Sequence, residues 1–269
     1  MRTPRLAGLG LGMMATVALA LAGCNANGGS TPSANASATE TPSTPASSSA
    51  ADPAAAAALA SATAALGTQS FKITLTAGPG VKLTGLIDAP NSKGTATLNI
   101  TGPNTDIQVK TLLVVQDLYV QVPGVTKANT WTHVDVSRLP EGANVGLRPG
   151  QIDPVNTQKV LTSTTDVQQV DSRSYKGTLD LTKVAGITGV DPSTVTTWGA
   201  SAKSVPFTAG LDDQGRLSAL TIQLPAVNGQ PAQPLDVLYT DYGVKVTAER
   251  PAASEVVEAP DSLYSSLGG

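Results

Sequence analysis

One cysteine and one histidine are the side chains of this sequence best suited to nucleophilic or proton-transfer chemistry, and they stand far apart, at Cys24 and His133. Cys24 follows Leu21-Ala22-Gly23 at the end of an uncharged 16-residue run from Leu6 to Leu21, with Arg2 and Arg5 ahead of it. A positive start, an apolar stretch and small residues before a cysteine form the pattern of a secretory leader cut just before that cysteine. Small residues let a peptidase seat an extended backbone, and the thiol is the nucleophile that takes up a diacylglycerol. The run falls short of the roughly 20 residues a spanning helix needs, so it reads as a leader and not as a transmembrane anchor. The expectation is lipidation at Cys24 and attachment to the cell membrane through that lipid, facing the periplasm or cell exterior.

Because Cys24 is the sole cysteine, an internal disulfide and a cysteine metal cluster are both excluded. His133 lies in Trp131-Thr132-His133-Val134-Asp135, where strand alternation puts His133 and Asp135 on one face. Such a pair would orient a general base, but no Gly-x-Ser-x-Gly elbow or Ser-x-x-Lys motif supplies a nucleophile. Phosphate loops and dinucleotide fingerprints are absent too. His133 therefore reads as a hydrogen-bonded strand histidine, and a metal there would need carboxylates for all its other ligands. Asp212-Asp213-Gln214-Gly215 lacks the spaced oxygen ligands and closing Glu of a calcium loop and reads as a solvated hairpin turn. Trp131 and Trp198 read as core. The expectation is no catalytic residue, no metal and no cofactor.

The 17 Lys and Arg against 20 Asp and Glu give a net charge of −3, which argues against the basic stripe of a nucleic-acid binder. An aromatic content of 3% disfavours a sugar platform of stacked rings. Three segments divide the chain: a leader over 1–23, a lipidated Ser/Thr/Ala/Pro linker over 24–51, and a domain over 52–269. The linker has almost no charge and no hydrophobic period, so it cannot offset its conformational entropy by burial. What remains is long enough for one good core and short for several.

The elements that must carry any site begin at Asp52-Pro53, a cap followed by a proline suited to a first turn, with a helix over 54–66 stopping at Gly67. After it the period changes to two: Phe71, Ile73 and Leu75 alternate with Lys72, Thr74 and Thr76. Similar strands are expected at 81–89, 94–101, 105–115, 117–122 and 131–136. A second cap-proline pair, Asp153-Pro154, predicts a helix to about Ser163. Further strands are expected at 173–181, 204–211, 216–224, 235–240 and 243–248. Links this short hold no crossover helices, so the sheet should be largely antiparallel in an α+β fold.

Alternating strands have one dry face, which helices, a second sheet or curling must cover. The expected helices are few and short for some ten strands, so the sheet either curls around an apolar hollow or fills its interior with side chains. If it curls around a ligand, the longest residues of one alternating set are the candidate lining: Ile73 and Leu75, Leu98 and Ile100, Leu118 and Val120, Leu220 and Ile222. Each pair lies two apart and so shares a face.

The stretch Leu147-Arg148-Pro149-Gly150-Gln151-Ile152-Asp153-Pro154, running into Lys159-Val160-Leu161, resembles the helix-opening segment of the mycobacterial LppX/LprA/LprF/LprG lipoproteins. So does the run from Val205-Pro206-Phe207 through Leu211-Asp212-Asp213-Gln214-Gly215-Arg216-Leu217 to Tyr239-Thr240-Asp241-Tyr242-Gly243-Val244-Lys245-Val246. With the leader, the resemblance spreads over most of the mature chain. It implies a curved, largely antiparallel β half-barrel, related to carriers of the LolA/LolB type, with a few helices covering its concave face. It also implies a membrane-anchored lipoprotein that is not an enzyme, and that binds lipid or glycolipid acyl chains in an apolar cavity and carries them across the envelope, with an envelope transporter as a partner. The alternative is a tethered envelope protein-interaction module with a packed core and no ligand.

Overall fold

A computed structural model describes residues 52–124, 126–127, 129–139, 147–148, 151–184, 192–226 and 231–266; the leader, Cys24 and the linker lie outside them. The chain opens with α1 (Pro53–Thr63) and α2 (Ala65–Thr68), followed by the strands β1 (Ser70–Ala77), β2 (Val81–Asp88), β3 (Lys93–Gly102), β4 (Thr105–Val114), β5 (Asp117–Gln121) and β6 (Trp131–Asp135). A two-residue ladder of β7 (Leu147–Arg148) and β8 (Gln151–Ile152) precedes α3 (Thr157–Leu161), β9 (Thr164–Gln169) and β10 (Ser174–Leu179). Then come α4 (Pro192–Trp198), β11 (Val205–Leu211), β12 (Leu217–Leu224), β13 (Gln233–Thr240), β14 (Val256–Glu258) and α5 (Asp261–Ser266).

Twelve strands form one curved, unclosed sheet in the order β14-β6-β5-β4-β3-β2-β1-β13-β12-β11-β10-β9. Two antiparallel meanders, β1 to β6 and β9 to β13, join edge to edge where β1 pairs with β13. Among the described residues only β14 runs parallel to its neighbour, β6. The fold is thus α+β with a mostly antiparallel sheet, as the short links require.

Asp52 starts α1 as its sequence signal predicts, accepting the Ala54 N–H at 2.9 Å with Pro53 in the first turn. The helix does not run on to Gly67. It breaks at Ala64, whose N–H turns back to Ser61 O, and a separate turn of helix follows over α2. Ala55, Leu59 and Leu66 bury into the cluster that also holds Phe71, Ile73, Phe207, Leu220 and Tyr239. Full burial of side chains this size stabilises by roughly 1.5–3 kcal/mol each.

Two further expectations are corrected. Asp153-Pro154 does not open a helix directly: α3 starts at Thr157, and the Asp153 carboxylate accepts the Gln158 N–H at 3.1 Å across the intervening turn. Residues 243–248 do not form a strand. Both edges of β13 are already taken by β1 and β12, so the chain leaving it has no edge to join. It crosses the outer face instead, burying Ala248 beside Leu112 and Tyr119, and reaches a free edge only at β6, where β14 pairs.

Candidate functional site

Strand register places all eight candidate residues on one sheet face. Ile73 stands between Gly85 and Tyr239, and Leu75 between Leu83 and Val237. Outward from β2, Leu83 faces Leu98 and Val81 faces Ile100. Leu118 and Val120 face Leu113 and Thr111. On the other side Leu220 faces Val237 and Ile222 faces Leu235. This inner face carries the main core, while the outer face is rich in Thr and charged residues.

Cover differs along that face. From β1 through β13 to β9 most inner residues are sealed, Ile73 being 0% exposed, Leu220 2% and Ile222 3%, while Leu75 and Ala77 towards the end of β1 are partly buried. Here α1 packs on β9, β12 and α3, and Val160 and Leu161 of α3 join the same cluster. Along β2 to β5, Val81, Leu98, Ile100, Ile107 and Val120 are only half-buried and belong to no core cluster, and Leu83 and Leu118 sit at the border of the core, partly buried. Val109, Ile87 and Leu113 are the buried side chains among these rows. The middle row is shallow, with Thr111, Ala96 and Gly85 side by side across β4, β3 and β2. A side chain at Gly85 would begin 3.2 Å from Ile73 Cγ2 and 2.9 Å from Thr95 O, so the close approach requires glycine. The arrangement is a half-buried apolar strip continuous with the core.

Several polar groups on the sealed half pair with one another. The Tyr239 hydroxyl bonds to Thr157 Oγ1 under α3, and burial raises its pKa well above the ordinary value. Burial also raises the Asp153 carboxyl, against the backbone N–H groups of Thr157, Gln158 and Val155. Trp198 is buried, as expected of a core residue, though its Nε1 has no partner among the described residues. Trp131 instead packs with Leu112, Tyr119 and Ala248 on the outer face. A separate open recess of about 460 Å³ lies beside α4, lined in part by Thr182, Val195, Thr196 and Lys203, and none of the eight borders it.

His133 takes neither the partner nor the role that its neighbour suggested. Its Nε2 lies 2.9 Å from Asp117 Oδ1 and its Nδ1 2.8 Å from Glu258 Oε2, an arrangement in which an imidazolium donates to both. Asp135, on the same strand face, caps the following turn through Ser137 N at 2.9 Å. Arg250 donates through Nε to Asp117 Oδ2 at 2.9 Å, and Tyr119 packs against the imidazole with ring centroids 5.1 Å apart. Burial alone would lower the His133 pKa, but the carboxylates of Glu258 and Asp117 outweigh it and hold the pKa above its usual 6.5. Asp117 shows the converse balance: burial would raise it, and Arg250 with His133 bring it below 3.8. The cluster clasps the C-terminal segment to the edge of the sheet. Sequence reasoning named the histidine and missed its partners, which come from β5 and, 125 positions away, β14.

The Asp212 turn is likewise structural. Its carboxylate accepts N–H groups of Gln214 and Arg216, each at 2.9 Å, and Gly215 takes φ 75°. Among the described residues no group of three or more His, Cys, Asp or Glu is placed to hold a metal ion, and no helix is long and apolar enough to cross a membrane. No protein-family model matches the chain, and no curated protein is similar enough to count as a relative.

Proposed function

We propose that this chain is a membrane-anchored lipoprotein that binds lipid or glycolipid acyl chains on the inner face of its sheet and carries them within the cell envelope. One observation carries the reading: Leu98, Ile100 and Val120 continue the apolar face of the core beyond the point where core packing ends. The resemblance of residues 147–154, 205–217 and 239–246 to the LppX/LprG-type lipoproteins supports it, as does the curvature of the open sheet. In this reading the helices cover the concave face of a half-barrel, and the β2 to β5 half holds the ligand.

Burial drives binding. At roughly 0.8 kcal/mol per methylene, a chain of about sixteen carbons gains on the order of 12 kcal/mol before ordering costs. Leaving a bilayer forfeits a similar amount, so exchange between membrane and protein is close to neutral and needs no fuel. The residues on the face bind and exclude water; none performs chemistry.

The complete burial of Ile73, Leu220 and Ile222 favours a second reading, an interaction module whose interior is simply filled. Mass spectrometry of organic extracts from the purified full-length protein separates the two. The lipid-carrier reading predicts a co-purifying long-chain lipid beyond the acyl groups linked to Cys24, and the filled module predicts none.

A further inference from the structure

The end of the chain hooks around one edge of the sheet. β14 pairs with β6 over only three residues, Val256–Glu258 against Trp131–His133. Val256 packs on the outer face with Trp131, Leu112 and Tyr119. Ala259 and Tyr264 are instead buried in the main cluster, which also holds Val134, Val136 and Leu139, and Leu263 packs against it. Val134 is the neighbour of Leu118 on the inner face. Residues 256–264 are thus a strap running from the outer cluster, past the edge strand, to the inner one.

Several contacts fasten it. Ala259 N donates to His133 O at 2.9 Å, and the Tyr264 hydroxyl accepts the Asp135 N–H at 2.9 Å. Arg138 lies over the Tyr264 ring and donates to Asp261 at 2.7 Å. The remaining fastener is the Glu258 carboxylate on His133 Nδ1, and it alone depends on a proton exchanged near neutral pH.

An imidazole held between two carboxylates donates to both only when it is cationic. The neutral ring has one N–H, so its other nitrogen turns a lone pair towards a carboxylate oxygen 2.8 or 2.9 Å away, and one contact is lost. Asp117 is the fixed partner: it stands on β5 within the ladder to β6, also accepts from Arg250 Nε, and is 22% exposed. Glu258 is the loose one, 72% exposed on a three-residue edge strand. The neutral ring therefore keeps its N–H on Asp117 and gives up Glu258. No other charged group facing the ring replaces that contact. Asp135 on the same strand face is engaged by Ser137, Arg250 answers Asp117, and Tyr119 of β5 packs flat against the imidazole.

We infer that residues 256–264 form a proton-controlled strap, in which loss of the His133 proton frees Glu258 and makes β14 and α5 leave the sheet edge more often. Burial of Ala259 and Tyr264 still favours the closed form, so the proton shifts a population and does not discard the strap. Opening withdraws Ala259, Leu263 and Tyr264 from the cluster shared with Val134 and Leu118, so that the half-buried strip extends to the edge of the sheet. That consequence for a ligand rests on the lipid-binding reading; the opening itself does not.

The test measures thiol labelling of cysteine variants of the full-length protein, read by peptide mass spectrometry so that Cys24 is counted apart. Ala259→Cys sits on the buried side of the strap, and Val257→Cys on its exposed side corrects for the pH dependence of the thiol itself. Ala202→Cys, fully buried in the main cluster on a distant segment, reports global unfolding. Between roughly pH 5 and 9 the labelling rate at 259 relative to 257 should rise about two- to fivefold, the range for an ion pair with one exposed partner. Its midpoint should coincide with the ring NMR titration of His133, the sole histidine, while 202 stays protected. Glu258→Gln should flatten the rise, because an amide can accept from the cationic ring or donate to the neutral one. A ratio that stays flat or falls with pH, a midpoint away from the His133 titration, a rise at 202 in step with 259, or an undiminished rise with Glu258→Gln overturns the inference.

Discussion

The two halves of the inner face are written in the same alternating pattern and end in different environments. From β1 to β9, Ile73, Leu220 and Ile222 are sealed with α1 and α3; from β2 to β5, Leu98, Ile100 and Val120 stay half-buried. The difference teaches that alternation specifies a face and not its cover. What covers a face depends on where helices pack, and α1 packs on β9 and β12.

The sharpest way to break the comparison is a matched pair of truncations. Leu220→Ala should cost about 3 kcal/mol, since it opens a cavity in packed surroundings. Leu98→Ala should cost about 1 kcal/mol, because a half-buried side chain loses less contact and water already reaches the site. Urea unfolding of both variants reads the contrast, and equal costs would show that the two halves are packed alike.

A smaller effect is expected at the edge clasp, which holds the far end of the β2 to β5 half. His133→Gln should lose about 1 kcal/mol or less, because Glu258 is 72% exposed and its contribution is screened. The sign with pH follows from the two shifts. His133 has a raised folded pKa, so its stabilisation is complete below 6.5 and fades as pH rises through the folded value. Asp117 has a lowered one, so its stabilisation is present above 3.8 and is lost as pH falls through the folded value. The difference in melting temperature between parent and variant should therefore be greatest in mildly acidic buffer and shrink towards alkaline pH. A difference that grows with pH would contradict the ion-pair geometry.

Much of this fold is legible from the chain. Period-two alternation identified the eight inner residues because one face of a pleated strand must be dry, and Asp52-Pro53 announced α1 because its capping chemistry is local. The misses have physical causes. In β9, Thr164-Thr165-Asp166-Val167-Gln168-Gln169 buries only Val167, so an edge strand leaves almost no hydrophobic signal. Val244, Val246 and Ala248 alternate like a strand but follow β13, whose edges are occupied. Val115, expected to end a strand, takes φ 62° in the β4–β5 turn, a conformation that β-branched residues disfavour. The partners of His133 come from remote parts of the chain, and no local spacing encodes them. Asp153-Pro154 signalled a helix and opens a turn before α3 instead, because the same cap serves both.

Tryptophan at position 98 tests the central claim most directly. If the β2 to β5 half of the inner face receives acyl chains, Leu98→Trp places a ring where a ligand would lie. The account predicts a melting temperature close to that of the parent and a marked loss of fluorescent-lipid binding, while Leu220→Trp in the sealed half overpacks and costs roughly 1–3 kcal/mol. Severe destabilisation by both substitutions, with no lipid bound by the parent protein, would contradict the account and leave a filled interaction module in its place.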